Sequence, residues 1–259
     1  MIFTDTHTHL YLEAFNDDRE EVVQRAIDAG VTSLLLPNID ASSIAPLEAL
    51  CNRFPQHCFP MMGLHPTSVK ENYREELNAI ADALDRNTYI GIGEIGIDLY
   101  WDKHFFQEQV EAFTFQLEVA LDLDLPVAIH TRDSMEETLS ILERPQYREV
   151  KGVLHCFSGD VQQAKRAIAL GYYLGIGGVL TFKNSGLKNI LKAVPLSSLL
   201  LETDAPYLTP APYRGQRNES AYIPIIASHL AEVYGVTREE VARITTENAF
   251  NLFHHLNTH

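Results

Sequence analysis

The chain alternates short apolar runs with amphipathic stretches along nearly its whole length, and this alternation restricts its possible folds more than any other feature. Apolar runs of four or five residues, often β-branched, are typical of strands. We predict strands at Ile2–Thr6, Thr32–Leu36, Phe59–Gly63, Tyr89–Gly93, Val127–His130, Gly152–His155, Tyr172–Gly175 and Leu199–Glu202. The intervening stretches predict helices at Asp18–Ala29, Ser42–Arg53, Glu75–Asp85, Phe105–Leu123, Met135–Leu142, Val161–Leu170 and Gly186–Ala193.

Repeated strand–helix units favour a parallel TIM-type (β/α)8 barrel, an α/β fold, over an open sheet. The tail from Ser220 to His255 predicts extra C-terminal helices, one around Ile225–Tyr234 and one with an N-cap at Thr237. No low-complexity linker or internal repeat divides the chain, so we expect one barrel domain over residues 1–259. Active sites of such barrels lie at the carboxyl ends of the strands.

Charge and cysteine content narrow the class of protein. The formal net charge of −15 argues against a large non-specific nucleic-acid footprint, which needs a basic face. This net charge remains compatible with an enzyme that binds phosphates locally through metal ions and a few arginines. Three cysteines without a C-x-x-C motif predict a cytoplasmic protein, and the lack of an apolar run of transmembrane length predicts no membrane association. No obligate protein partner is evident from the sequence. The first candidate site begins at Asp5, which leaves no room for a signal peptide.

Residue types that bind metals follow the ends of six predicted strands. The first strand leads to His7 and His9, which are two residues apart and therefore project the same way. The later strand ends carry His65, Glu94, His130, His155 and Asp204. Each histidine alone is more simply explained as a turn or core residue. Five of the chain's eleven histidines at these few positions instead favour one shared site at the barrel mouth.

Imidazoles and carboxylates together suit hard-to-borderline divalent ions, so we expect Mg²⁺, Mn²⁺ or Zn²⁺. The donors suffice for two ions, and Glu94 would bridge them. Two ions about 3.5–4 Å apart suit the hydrolysis of phosphate esters. Asp204 is both a candidate ligand and a candidate proton acceptor for the attacking water.

The motifs H-x-H, G-L-H-P, G-E-I-G-I-D, H-x-R, H-x-F-S-G and E-T-D-A-P, in this order, resemble the TatD family of metal-dependent deoxyribonucleases, which are amidohydrolase-type barrels. The resemblance extends from Asp5 to at least Asn218, and the ending T-E-N-A-F-N-L-F is similar as well. It implies hydrolysis of single-stranded DNA from a 3′ end. It also implies one ion on His7, His9, Glu94 and Asp204 and a second ion on Glu94, His130 and His155.

Several basic side chains near the strand ends are candidates for phosphate binding. Arg132 would clamp a phosphate as a planar fork, or it would pair with Asp133 on the surface. His65 would stabilise the phosphate or shuttle a proton. Lys183, Arg214 and Arg217 would add positive charge at the mouth.

Four further residues near the strand ends have two interpretations each. Glu202 would orient a metal ligand, or it would have only a structural role at the strand end. Tyr100 and Trp101 would stack on a base, although packing within their loop is the more common role of such residues. Cys156 follows His155 directly, and strand alternation predicts that it faces away from the site rather than acting as a nucleophile.

Two other functions compete with phosphodiester hydrolysis. One is an amidohydrolase that acts on a small cyclic amide, lactone or amine, because that barrel superfamily shares H-x-H. Many of its two-metal members bridge their ions with a carboxylated lysine, whereas this chain offers Glu94. The other is a catalytically idle metal-binding scaffold, and the intact donor set argues against it.

Overall fold

The computed structural model describes residues 1–254 and 256, and it contains a strand at each of the eight predicted places. The expected single domain over 1–259 and the predicted tail to His255 thus extend to positions outside the described residues. The strands are β1 Phe3–Asp5, β2 Val31–Pro37, β3 Cys58–Met61, β4 Ile92–Asp98, β5 Val127–Arg132, β6 Gly152–Leu154, β7 Tyr173–Ile176 and β8 Leu199–Leu201. Neighbouring strands pair in parallel, as a barrel of strand–helix units requires.

The strands form two runs, β1 to β3 and β4 to β8, whose edges meet at two seams. At the first seam, the Met62 amide donates to the carbonyl of Gly91 over 3.1 Å. At the second, the Thr6 amide donates to the carbonyl of Leu201 over 3.0 Å. These contacts join the strands into a ring in sequence order, and β4 and β8 therefore lie on opposite sides of it. The predicted barrel is confirmed.

The predicted helices are also present, with small shifts at their ends. They are α1 Arg19–Asp28, α2 Ile44–Arg53, α3 Tyr73–Arg86, α4 Phe106–Asp122, α5 Met135–Leu142, α6 Val161–Ala169, α7 Leu187–Leu191, α8 Ile223–Tyr234 and α9 Arg238–Leu252. The Thr237 hydroxyl caps α9 by accepting a hydrogen bond from the Glu240 amide. Among residues 1–254, no helix combines the length and the apolar character needed to cross a membrane.

Strand side chains alternate between two apolar layers. On β5, Val127 and Ile129 pack outward among the helices, whereas Ala128 faces the barrel interior. The interior layer contains Leu35, Phe59, Met61, Ile90, Ala128, Val153, Leu200, Ala249, Leu252, Phe253 and Leu256. The end of α9 thus closes the barrel at the amino ends of its strands, opposite the mouth.

The predicted bounds of the fourth strand were wrong, because β4 runs through glycines that resemble strand ends. These glycines let β5 approach closely. A Cβ atom on Gly93 would lie 2.8 Å from the Ala128 Cβ, and one on Gly96 would lie 2.1 Å from the His130 carbonyl oxygen. Glu94 consequently lies within β4 rather than after it.

Replacing Phe253 with alanine should destabilise the barrel, because this fully buried ring fills the interior layer beneath the site. We expect the free energy of unfolding to fall by about 3–5 kcal/mol in urea denaturation. Phe115→Ala is the matched control, since Phe115 on α4 is 42% exposed, and it should cost about 0.5 kcal/mol or less. Equal losses in both variants would contradict this assignment of the core.

Candidate metal centre

The inward-facing positions of the strands change from apolar to polar towards the mouth. Ala128 and Val153 belong to the interior layer, and His130 and His155 follow each of them by two residues. Side chains two apart in a strand point the same way. Alternation on β5 therefore directs His130 into the mouth of the barrel. His155 comes directly after the end of β6, and it lines the same mouth.

Glu94 lies at the centre of this polar layer and is 2% exposed. Its Oε2 lies 3.0 Å from His7 Nε2 and 3.5 Å from His9 Nε2. Its Oε1 faces three further rings, at 3.0 Å from His130 Nδ1 and 3.3 Å from the Nε2 atoms of His65 and His155. Each oxygen of one carboxylate thus faces a different group of imidazoles.

Asp204 completes the cluster just beyond β8. Its Oδ1 lies 3.6 Å from His9 Nε2 and 3.9 Å from His7 Nε2. Its backbone has a φ of +56°, a left-handed conformation that aspartate tolerates better than most residues. Its amide donates to the His7 carbonyl over 2.9 Å, so the ends of β1 and β8 are held together.

Three groups of donors within this cluster could each hold an ion. They are His7 with His9 and Glu94, His7 with His155 and Asp204, and His65 with Glu94 and His130. Within each group the donor atoms lie within 4.8 Å of one another. Such mixed nitrogen and oxygen donors fit divalent ions such as zinc or manganese. The predicted ligands are therefore together, and His65, predicted as a phosphate contact, lies among them.

The electrostatics of the cluster favour bound cations. Burial alone would raise the pKa of Glu94, but the surrounding histidines hold it well below its ordinary value. Burial would likewise lower the pKa of His9, whereas Asp204 and Glu94 raise it to about 9. For His155, Glu202 and Glu94 outweigh burial and raise the pKa to about 10. The same carboxylates that favour the protonated histidines would also favour a bound cation, and binding of a metal ion would release those protons.

Two carboxylates orient the histidines from behind. Asp98 Oδ2 lies 2.8 Å from His130 Nε2, which leaves Nδ1 facing Glu94. Glu202 Oε1 lies 3.3 Å from His155 Nδ1. Sequence reasoning proposed an orienting role for Glu202 but assigned none to Asp98. Asp98 follows Glu94 by four residues on the same face of β4, and that alternation was the signal that could have identified it.

Tyr11 fixes the orientation of His9, and the sequence analysis missed it. The Tyr11 hydroxyl lies 2.6 Å from the Pro37 carbonyl and 2.9 Å from His9 Nδ1. A carbonyl only accepts, so the hydroxyl donates its single proton there and accepts one from His9. His9 Nδ1 is therefore protonated, and Nε2 faces the carboxylates. Tyr11 lies in a turn beyond β1, so strand alternation in the sequence did not predict this contact.

Asp5 holds the base of the site together. Its Oδ1 accepts hydrogen bonds from the amides of His7 at 3.3 Å and Thr203 at 2.9 Å. Burial raises its pKa to about 7, although these hydrogen bonds oppose the shift. The residue therefore ties β1 to the segment after β8 directly below the histidines.

A cavity of about 540 Å³ opens above the cluster. Arg132 and Trp101 line one part of its wall, and Tyr207 lines another. Lys183, predicted to contact phosphate, is exposed in the turn after β7 and is not among the described residues that line this cavity. The structure thus brings Arg132 to the candidate centre but does not bring Lys183 there.

Arg214 and Arg217 are engaged with other parts of the protein. The Arg214 guanidinium lies 3.7 Å from the centre of the Phe182 ring. Arg217 donates to both carboxylate oxygens of Asp18, at 2.8 and 2.7 Å. Arg132 instead lies over aromatic rings, and within residues 1–254 it forms no ion pair with Asp133 or any other carboxylate.

Tyr100 and Trp101 combine features of both interpretations. Their rings pack edge-on with centres 5.0 Å apart, yet the residues are 53% and 68% exposed. The strand alternation on which the prediction for Cys156 rested does not apply. β6 ends at Leu154, and Cys156 has a φ of +46°, so strand alternation does not extend to it. Burial, with the nearby charges of Glu202 and other carboxylates, raises the pKa of its thiol well above the usual range, which disfavours a thiolate nucleophile.

Comparisons with known proteins agree with this geometry. The sequence model of the TatD-related DNase family matches residues 4–254. The uncharacterized metal-dependent hydrolase YabD of Bacillus subtilis is 37% identical, over 98% of this chain and 99% of its own. The 3′-5′ ssDNA/RNA exonuclease TatD of Salmonella typhimurium is 35% identical, over 96% of this chain and 98% of its own.

A solved structure extends the likeness to three dimensions. The TatD homologue YJJV of Escherichia coli K12 matches with a TM-score of 0.91 at 33% identity, over 97% of this chain and 98% of its own. A barrel with imidazole and carboxylate donors at its mouth and relatives of this kind is a metal-dependent hydrolase. The chain belongs to the TatD-related DNase family.

Removing the Tyr11 hydroxyl should weaken metal binding without unfolding the protein. In Tyr11→Phe, the His9 ring loses the partner that fixes its tautomer, and we expect a loss of about 10- to 100-fold in affinity for Zn²⁺. Titration calorimetry measures the affinity, and ¹⁵N NMR of the His9 ring reports the tautomer. Tyr89→Phe is the matched control, because Tyr89 bonds to Glu48 away from the cluster. Unchanged affinity and ring shifts would refute the positioning role.

Proposed function

We propose that this protein hydrolyses phosphodiester bonds of single-stranded DNA from a 3′ end, using two divalent ions. The observation that carries the proposal is the position of Glu94, whose two oxygens face separate groups of histidines. Membership of the TatD-related DNase family supports it. So does the similarity to TatD of Salmonella typhimurium, which is named as a 3′-5′ exonuclease of single-stranded DNA and RNA.

The proposed ligands divide between the two oxygens of Glu94. His7, His9 and Asp204 would share one ion with it, and His130 and His155 would share the second. When bound, two divalent ions supply an activated water and neutralise charge on phosphoryl oxygens. Mg²⁺, Mn²⁺ and Zn²⁺ all suit this donor set, and the ratio of imidazole to carboxylate favours Mn²⁺ or Zn²⁺.

The side chains around the ligands would handle the proton and the phosphate. Asp204 is 15% exposed at its side chain, against 3% for Glu94, so it is the carboxylate better placed to accept a proton from water. Arg132 is free of carboxylate partners among the described residues and would clamp the phosphate. His65 lies at the cavity wall and would contact the phosphate or a metal ion. Lys183 would contribute only at longer range.

The free cysteines bear on where the enzyme works. Cys51, Cys58 and Cys156 are all unpaired in the structure. Unpaired thiols are typical of proteins in a reducing compartment. We propose that the protein acts in the cytoplasm.

A comparison of substrates tests the reaction class. The protein, supplied with Mg²⁺, Mn²⁺ or Zn²⁺ in turn, should shorten a 3′-labelled and a 5′-labelled single-stranded oligodeoxynucleotide with the pattern of a 3′ exonuclease. A dipeptide and lactone panel should give no turnover. Hydrolysis of the panel without any cleavage of the oligonucleotide would assign the site to an amidohydrolase instead.

Glu94→Gln should lose activity together with metal. The amide keeps the shape of the side chain but removes the charge shared by both groups of histidines, so we expect the rate to fall by about 10²–10³-fold or more. Elemental analysis of the purified variant should show the loss of at least one ion, while circular dichroism remains native. Full metal content at the wild-type rate would contradict the two-ion site.

Asp204→Asn should bind oligonucleotide but cleave it slowly. Loss of a general base typically costs on the order of 10²–10⁴ in rate, and single-turnover kinetics isolate that step from product release. Asp85→Asn on the outer face of α3 is the control and should behave as wild type. A decrease below about tenfold would assign the proton acceptor elsewhere.

A further inference from the structure

We propose that Trp101 and Tyr207 form an aromatic clamp that stacks on the unpaired base of the terminal nucleotide. This rests on the proposed function and extends it, because it assigns the residues that select a nucleotide with an accessible base. The clamp consists of these two side chains alone. Both line the cavity above the metal-binding cluster.

Trp101 is held in place although its ring is largely exposed. It follows β4, and its indole is 68% exposed at the cavity wall. Asp98 Oδ1 accepts hydrogen bonds from the amides of Tyr100 at 3.0 Å and Trp101 at 3.1 Å. The other oxygen of Asp98 contacts His130. One carboxylate therefore sets the position of the Trp101 loop relative to the metal-binding cluster.

Tyr207 occupies the opposite side of the mouth. It follows β8, which lies across the ring from β4, and it is 54% exposed. Its amide donates to the Asp204 carbonyl over 2.8 Å, and the Asn218 side-chain amide donates to its carbonyl over 2.6 Å. These bonds fix the Tyr207 backbone beside a proposed metal ligand. Trp101 and Tyr207 thus offer two exposed rings, from loops that follow strands on opposite sides of the barrel, as stacking surfaces for a flat ligand.

Arg132 lies against the aromatic rings near the cavity and is also the proposed phosphate ligand. Its guanidinium lies 3.9 Å from the centre of the Tyr100 ring and 5.4 Å from that of Trp101. Cation–π contacts of this kind orient a guanidinium and leave its N–H groups free to bind an anion. A phosphate on Arg132 would have its attached base near Trp101, as binding of one nucleotide requires.

Other aromatic rings near the mouth are already covered. Tyr213 stacks on Tyr222 with ring centres 4.7 Å apart and planes 5° apart. Phe182 is covered by the Arg214 guanidinium. Tyr100 is 53% exposed, but Arg132 lies over its ring and it is not among the described residues that line the cavity. Trp101 and Tyr207 differ from these rings because they are largely exposed and also line the cavity.

The size of the cavity suits a single unpaired base. A volume of about 540 Å³ is in the range that holds one small ligand. A base inside a duplex is already paired and stacked, and it must be extruded before an enzyme pocket can hold it. The clamp therefore favours an end whose last base is unpaired.

Fluorescence tests the contact directly, because Trp101 is the single tryptophan of the chain. Oligothymidylate added to metal-loaded Asp204→Asn protein should quench the emission by stacking on the indole. The same oligonucleotide with an abasic 3′-terminal nucleotide should quench much less, and one with an abasic 5′ end should quench fully. Equal emission changes with all three would overturn the proposal, even if the wild-type enzyme proves to be a nuclease.

Kinetics separate stacking on the base from indirect effects through Arg132. Trp101→Ala and Tyr207→Ala should each lower kcat/KM on oligothymidylate by about 10- to 100-fold. They should change the rate on the oligonucleotide with the abasic 3′ end by less than about threefold, since that substrate keeps its phosphates. Trp101→Phe should restore most of the loss. Equal losses on both substrates would show that the rings act on the phosphate or on the fold, and would refute the clamp.

Phe115→Ala is the control for removal of an exposed ring, because Phe115 lies on α4 away from the cavity. It should leave both substrates unaffected. If the wild-type enzyme cleaves no oligonucleotide but base-dependent quenching of Trp101 persists, the proposed reaction fails while the clamp stands. If the enzyme cleaves the oligonucleotide but Trp101 shows no base-dependent quenching, the clamp fails while the proposed reaction stands.

Discussion

The buried carboxylate of Glu94 is the constraint on which the rest of the structure depends. A carboxylate removed from water is unfavourable unless cations or strong donors surround it. Here five imidazoles provide that environment, and they come from four different strand ends. Their positions are meaningful only if those strands meet in one ring. The candidate centre can therefore form only if the barrel closes.

The surrounding fold maintains this arrangement from below and from the sides. The interior apolar layer, plugged by α9, supplies the stability that a cluster of buried polar groups lacks. Asp5 and Asp204 bond the end of β1 to the segment after β8, beside the Thr6–Leu201 bond that closes the ring. Asp98 and Tyr11 hold ring nitrogens from behind. Rigid placement of this kind allows metal ligands to act without rearrangement when ions bind.

The acidic surface and the proposed substrate are compatible because recognition is local. A net charge of −15 gives no long-range attraction for a polyanion. Attraction would come from the bound ions and from Arg132, and selectivity would come from two exposed rings that line the cavity. With this arrangement, the proposed enzyme would bind the end of a strand rather than its length.

The sequence by itself determined the barrel and named most side chains of the candidate centre, because both are encoded in local patterns. It assigned no role there to Asp98 or Tyr11. Short apolar runs between amphipathic stretches indicated each strand. His7, Glu94 and Asp204 lay at or near the predicted strand ends. What it did not determine depends on contacts between distant segments. β4 runs through Gly93 and Gly96 because β5 packs against them, which no local rule anticipates.

The tertiary structure alone decided how the remaining side chains are used. Arg217 is committed to Asp18, distant in sequence, whereas Arg132 remains available over Tyr100. Tyr11 could be assigned to His9 only once Pro37 was seen to take its proton. The physical reason is the same for Arg217, Arg132 and Tyr11. A residue's type defines the interactions that it can make, but the partners that use them are brought together only by the closed ring of strands.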